Sequence, residues 1–165
     1  MLRSRFFPAV CNCLKSTDDI FEICRDAAYY AASRLGPGHS EKTYENVILN
    51  TLYQQRIPTL RQAQYFSNID GQVVQTGIVD LEVDQKVILE LKVGHTNISE
   101  DHRTQAKRYL RSARQKYRHH EIIASVILFS KHGDVQIWKC KSLPTSSRIM
   151  VAPENTAFHA EIDAR

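Results

Sequence analysis

The chain has 165 residues and a formal net charge of +4, with 42% apolar, 8% aromatic and 24% charged residues. That is enough for one α/β domain with a real core and short tails, and no apolar run reaches the length of a membrane span. Cys11, Cys13, Cys24 and Cys140 show no paired CxxC spacing. This argues against a disulfide frame or a zinc site and for reduced thiols in an intracellular compartment, cytoplasm or nucleus.

Residues 1–16 carry basic and no acidic side chains, in the manner of an organelle-targeting segment. They lack an amphipathic repeat and Pro8 interrupts them, so residues 1–17 read better as a loose N-terminal extension. Ser16 or Thr17, followed by Asp18 and Asp19, starts a helix. Its apolar stripe is Ile20, Cys24, Ala27, Ala31 and Leu35, widened by Phe21 and Ala28, and Gly36 ends it. A second helix is predicted from near Ser40 to about Arg56, with Tyr44, Val47, Ile48, Thr51 and Leu52 inward. Glu41 and Glu45 fall on the side of Ile48 and Leu52, not on the opposite, solvent side. A glutamate on a packing side needs a metal, a basic group or a backbone donor. For Glu41, in the first turn, the helix dipole is explanation enough; for Glu45, one turn further in, it is weaker.

Thr59–Phe66 reads as a strand and Asp70-Gly71 as a turn. The stretch around Asp80–Lys92 then reads as two strands with a tight turn, Val79, Leu81 and Val83 alternating with acids, and Val87, Leu89, Leu91 and Val93 alternating with Ile88, Glu90 and Lys92. A three-residue loop, Asp84-Gln85-Lys86, would pair Val83 with Val87 and set Asp80 opposite Glu90. It would leave Val79, Leu81 and Val83 facing Val87, Leu89 and Leu91 as one apolar face; a slip of one residue would reverse this. Asp80, Glu90 and Lys92 then share one patch. Two carboxylates suit Mg²⁺ or Mn²⁺, and a neighbouring lysine can orient water or offset phosphate charge. The bland alternative is a solvated face with an ordinary Glu–Lys pair.

Ser99 starts a third helix running to about His119, with Ala106, Tyr109, Leu110, Ala113 and Tyr117 inward. Arg103, Lys107, Arg111, Arg114 and Arg118 form a basic stripe, and no acid interrupts residues 102–120. A phosphate-facing surface is slightly favoured over a plain solvated face. Gln105 sits at the core edge, away from that stripe. Ile122–Phe129 reads as a strand buried on both faces, and Val135–Cys140 as another. Residues 141–165 show no period and are expected to be a disordered tail. No helix offers clear base-reading side chains.

The order helix, helix, strands with Asp…Glu-x-Lys, basic helix with Gln, strand, strand resembles the PD-(D/E)XK nuclease superfamily. More narrowly it resembles its GxxExxY family, through Leu35-Gly36-Pro37-Gly38, Glu41-x-x-Tyr44-Glu45, Arg61-Gln62, Asp80-Leu81, Val87-Ile88-Leu89-Glu90-Leu91-Lys92 and Gln105 with Tyr109-Leu110. The resemblance spans about residues 18–140. It implies an α/β fold with a restriction-endonuclease-like core, a mixed central sheet flanked by helices. It implies a Mg²⁺-dependent nuclease, with Mn²⁺ as substitute, acting on nucleic acid, DNA favoured over RNA. Asp80, Glu90 and the Leu91 carbonyl would be metal ligands, Lys92 would position or activate water, either Glu41 or Glu45 would complete the acidic cluster, and Gln105 would support it. A module that binds nucleic acid or a protein partner without turnover is the alternative, and a homodimer through a paired sheet edge stays open.

Overall fold

The computed structural model describes residues 15–118, 121–142 and 149–151. Three helices, α1 (Thr17–Leu35), α2 (Glu41–Gln54) and α3 (Glu100–Lys116), accompany β1 (Thr59–Ile69), β2 (Gln72–Val83), β3 (Val87–Val93), β4 (Ile122–Phe129), β5 (Val135–Ser142) and β6 (Ile149–Val151). The strands form one sheet in the order β1-β2-β3-β4-β5-β6. Only β3 and β4 run parallel, because α3 carries the chain across between them. The fold is α/β and restriction-endonuclease-like, as expected.

The helices cover opposite faces. Leu81, Val83, Leu89, Leu91 and Ile127 meet Ile20, Cys24, Ala28, Ile48 and Leu52 of α1 and α2 in one core. Ala63, Tyr65, Val79, Ile88, Ala124 and Val126 meet Ala106, Tyr109 and Leu110 of α3 in the other. β4, apolar throughout except Ser125, supplies both and is buried along its whole length. Ser16 caps α1 in a capping box with Asp19, which satisfies two of the backbone donors a helix start leaves over. Cys24 and Cys140 are buried free thiols; burial raises both, Cys140 to about 12. Cys11 and Cys13 lie outside the described residues.

Several boundaries differ from the sequence reading. α2 stops at Gln54 and buries Leu49, while Val47 and Thr51 stay at the margin. α3 stops at Lys116, because Tyr117 leaves helical geometry with its hydroxyl donating to Glu82. Arg118 therefore stands beyond the helix, and His119 and His120 lie outside the described residues. Of the tail expected from residue 141, Lys141 and Ser142 complete β5 and Ile149–Val151 form β6, whose hydrogen bonds to β5 cover a sheet edge; its other residues lie outside the described ones. β1 and β2 continue well past the expected strands to the turn at Asp70-Gly71.

The Asp84-Gln85-Lys86 loop forms as expected, pairing Val83 with Val87; Asp84 and Gln85 both adopt positive φ, and Lys86 N–H donates to the Val83 carbonyl at 3.0 Å. The single apolar face does not. Leu81 and Val83 face α1 and α2, but Val79 faces α3. The cause lies across the ladder, where Gln62 takes a left-handed φ of 49° between the pairs Arg61↔Leu81 and Ala63↔Val79. Both strands roll at Gln62 and Asp80, so the residues on either side of that point serve different cores.

Candidate active site

The roll determines how Asp80 is used. Regular pairing between β2 and β3 runs from Val83↔Val87 to Leu81↔Leu89. Beyond it, Asp80 Oδ2 accepts the Leu91 N–H at 2.7 Å, a side chain taking the place of a ladder carbonyl. Gln62 Nε2 stands 3.4 Å from the other oxygen. The carboxylate is thus fixed against the backbone of the strand that bears Glu90 and Lys92.

Glu90 is 5% exposed. Its Oε1 accepts from Lys92 Nζ at 2.7 Å and from Gln105 Nε2 at 2.7 Å. Gln105 also lies 2.9 Å from the Tyr109 hydroxyl, which holds its amide in place. Glu90 Oε2 is buried with no hydrogen-bond partner among the described residues. Burial and then the charge of Asp80 push Glu90 up to about 7, against the pull of Lys92. Burial lowers Lys92, but its hydrogen bond to Glu90 and the charges of Glu90, Glu41 and Asp80 outweigh this and hold the ammonium above its ordinary value.

The two helix glutamates part company. Glu45 is 5% exposed and its Oε1 lies 2.5 Å from Arg61 Nε, so it has the basic partner that a packing-side glutamate requires. Glu41 is the first residue of α2, and its charge is felt at both Glu90 and Lys92. Tyr44 explains why α2 starts there. Its hydroxyl donates to the Gly36 carbonyl, and its ring stacks on Phe129 with centroids 3.9 Å apart and planes 6° from parallel. Phe129 pairs with Val93 at the end of β3, so the tyrosine pins the start of α2 beside Lys92.

Asp80, Glu90, Lys92, Gln105 and the Leu91 backbone therefore come together, Glu41 stands within their electrostatic reach, and Glu45 is engaged by Arg61. The basic stripe of α3 lies elsewhere. Gln105 reaches β3 from one flank of the helix, whereas Lys107 hangs 5.7 Å from the Trp138 ring of β5 on the other. Glu100, from the first turn, lies 3.7 Å from Arg103 and 3.3 Å from Lys107, supplying an acidic partner that residues 102–120 lack. Arg111 and Arg118 are exposed, and Arg114 is half-buried. On the Gln105 flank the cations are Arg108, against Tyr109, and Lys116, 3.4 Å from Glu82. Neither belonged to the stripe read from sequence.

Sequence reasoning gave no role to Arg61, Gln62 or Glu82. Arg61 and Gln62 are short-range neighbours whose partners lie on other elements. Glu82 is fully buried on the α3 face and accepts from the hydroxyls of Tyr65 and Tyr117. Alternation with Asp80 could have marked it as facing α3, but not that two tyrosines would meet it there.

Among the described residues, no group of three or more His, Cys, Asp or Glu is drawn together as a metal cluster. The residues nonetheless fit a hard divalent cation. Two carboxylates and a backbone carbonyl are the oxygen donors such an ion takes, with water in its remaining positions. The buried, unpartnered Glu90 oxygen is a donor in want of a cation.

A carboxylate pair on β2 and β3 with a lysine two residues on, buttressed from α3 by a glutamine, has the pattern of a PD-(D/E)XK site on a restriction-endonuclease-like sheet. Residues 18–136 match the family model of the PD-(D/E)XK nuclease superfamily, and the chain belongs to that superfamily. No match was found among curated proteins or among solved structures. No helix among the described residues is long and apolar enough to cross a membrane.

Proposed function

We propose that the protein is a metal-dependent nuclease that hydrolyses phosphodiester bonds of nucleic acid, with DNA as its substrate, and that it falls in the GxxExxY family of its superfamily. The observation that carries the activity is the state of Glu90: one oxygen held by Lys92 and Gln105, the other buried and free beside Asp80. Asp80, Glu90 and the Leu91 carbonyl would hold Mg²⁺ or Mn²⁺, and Glu41, not Glu45, is the helix carboxylate that would add to them. When bound, the cation acidifies water and offsets charge on phosphate. Lys92, kept protonated by its acidic neighbours, orients the attacking water and donates to a phosphate oxygen. Gln105 holds Glu90 in its rotamer, and Asp80 is held by the Leu91 amide. The GxxExxY assignment rests on Gly38, Glu41 and Tyr44, of which Tyr44 fixes the start of α2 through the Gly36 carbonyl and Phe129.

A second reading, a nuclease-fold module that binds nucleic acid or protein without turnover, draws support from Glu45, whose engagement by Arg61 removes one carboxylate from the cluster. A cleavage assay decides between them. Single-stranded, duplex and branched DNA and RNA are incubated with Mg²⁺, Mn²⁺ or EDTA, beside Asp80→Ala and Lys92→Ala proteins of verified fold. Metal-dependent cutting lost in both variants establishes the nuclease. No cutting on any substrate, with binding unchanged in the variants, leaves the module.

A further inference from the structure

Beyond Tyr65 and Gly77, β1 and β2 run on together to Asp70-Gly71 as a two-stranded arm, with pairs Phe66↔Gln75, Ser67↔Val74, Asn68↔Val73 and Ile69↔Gln72. β3 pairs with β2 only as far as Leu81, so among the described residues the arm has no third strand. It springs from the strand that holds Asp80; from Asp80 to Gln72 is eight residues, about 26 Å of strand. That length matches about eight base steps of duplex DNA.

The two faces of the arm differ. Towards α3, Tyr65 is buried, Thr76 bonds Ser112 and Gly77 lies under Tyr109. The other face presents Gln64 opposite Ile78, Phe66 opposite Gln75 and Asn68 opposite Val73. All six are exposed and none is charged. Three amides alternate with three apolar groups, and the arm's one charge is Asp70 at the turn. Exposed β-ribbons otherwise bury or guard such apolar groups.

We propose that this face contacts base edges in the major groove of duplex DNA. The groove admits a two-stranded ribbon; Asn and Gln side chains match the adenine N6/N7 edge, and apolar groups match the thymine methyl. The ribbon's own neutrality fits a groove floor of base edges, while the exposed Arg108 of α3, over the Tyr109 ring that covers Gly77 at its foot, fits a flanking phosphate. A second copy of the chain is the poorer occupant: the left-handed Gln62 breaks the β1 edge that such pairing would use, and the extra residue of β2 at the register shift, Thr76, adds twist to the ribbon. The proposal rests on the nuclease reading for its choice of DNA. It adds an element that supplies preference for A·T pairs, where the sequence offered no recognition helix.

Fluorescence anisotropy in EDTA tests it without any need for turnover. Labelled A·T-rich duplex, G·C-rich duplex and single strand are titrated with the full chain and with a Gln64→Ala/Gln75→Ala variant, whose exposed positions leave the fold intact by circular dichroism. The expected result is a loss on the order of tenfold or more on the A·T-rich duplex, little change on the other two, and an unchanged salt slope, since no phosphate contact is removed. Equal affinities of variant and parent, or equal losses on all three, overturn the arm proposal while leaving the nuclease reading to its cleavage assay. No DNA binding by the parent, with a dimer in light scattering that Phe66→Ala/Val73→Ala dissociates, overturns it in favour of self-association.

Discussion

Gly77 and Tyr109 stand so close that a methyl group on the glycine would lie 2.1 Å from Tyr109 Cε1 and 2.8 Å from Cδ1. The contact matters because Tyr109 is the far end of a chain of contacts: its hydroxyl meets Gln105, and Gln105 holds Glu90. A missing side chain on β2 thus helps set the rotamer of a carboxylate on β3.

Gly77→Ala is expected to push the Tyr109 ring aside and cost about 1–3 kcal/mol, the usual range for overpacking. The same substitution should loosen Gln105 and lower cleavage more than Tyr109→Phe, which removes only the hydroxyl. Chemical denaturation and turnover measured together check this. Undiminished cleavage by Gly77→Ala, with the loss of stability present, would sever the proposed link to Glu90.

Metal binding should depend on pH through Glu90. Its pKa, pushed up to about 7 mainly by burial and Asp80, means that the metal-free site carries a proton below that value. An incoming cation must displace it, so affinity should fall as pH drops through 7, and binding near pH 6 should release a proton that binding near pH 8.5 does not. Calorimetry in buffers of different ionisation enthalpy reads the proton directly. The sign for stability is the reverse of a salt-bridged acid: the folded pKa lies above the unfolded one, so the metal-free protein loses stability as pH rises from the ordinary carboxylate range through 7. Glu90→Gln should flatten that slope.

Arg61→Ala should destabilise more than Glu45→Gln. Removing the arginine leaves a buried carboxylate without its partner, whereas the amide carries no charge to compensate. Because Arg61 is itself partly exposed, water can take up some of the loss, and about 1–3 kcal/mol is expected. If Glu45→Gln also preserves cleavage while Glu41→Gln abolishes it, the assignment of Glu41 to the site holds. The opposite pattern reverses it.

Tyr65→Phe and Tyr117→Phe each take a donor from the buried Glu82, at an expected cost of about 1–3 kcal/mol. The Tyr65 hydroxyl is the more deeply enclosed, and its loss should be the larger. Thermal unfolding of the two single variants and the pair would show coupling, because both donate to one carboxylate.

The sequence exposes what is local and periodic. The helices, their caps, the mostly apolar β4 and the Asp84-Gln85-Lys86 register all follow from spacing, and the register in turn brings Asp80 towards Glu90. What stays hidden depends on a single backbone angle or a distant partner. Nothing in the types of Gln62 or Val79 announces a left-handed residue that rolls two strands at once. The helical projection puts Glu41 and Glu45 on one side, but only the position of Arg61 separates them. The arm escapes because its Gln, Asn and Ser residues are weak strand formers and the Tyr65/Phe66 shift disrupts alternation. The stripe on α3 is legible as charge, while the flank it occupies is a matter of tertiary packing.

The roll at Gln62 and Asp80 also divides the chain by how freely it can change. On one side, Leu81 and Val83 pack against α1 and α2, and Asp80 is bonded to the strand that bears Glu90. Past Tyr65 and Gly77, Thr76 still bonds Ser112 of α3, but the face turned away from that helix is exposed to solvent. Replacement, lengthening or shortening at the Asp70-Gly71 end should leave Asp80, Glu90 and Lys92 where they are. On the proposed nuclease reading, related chains could diverge in what they grip while keeping how they cut, and an engineer could graft a new ribbon at the same joint.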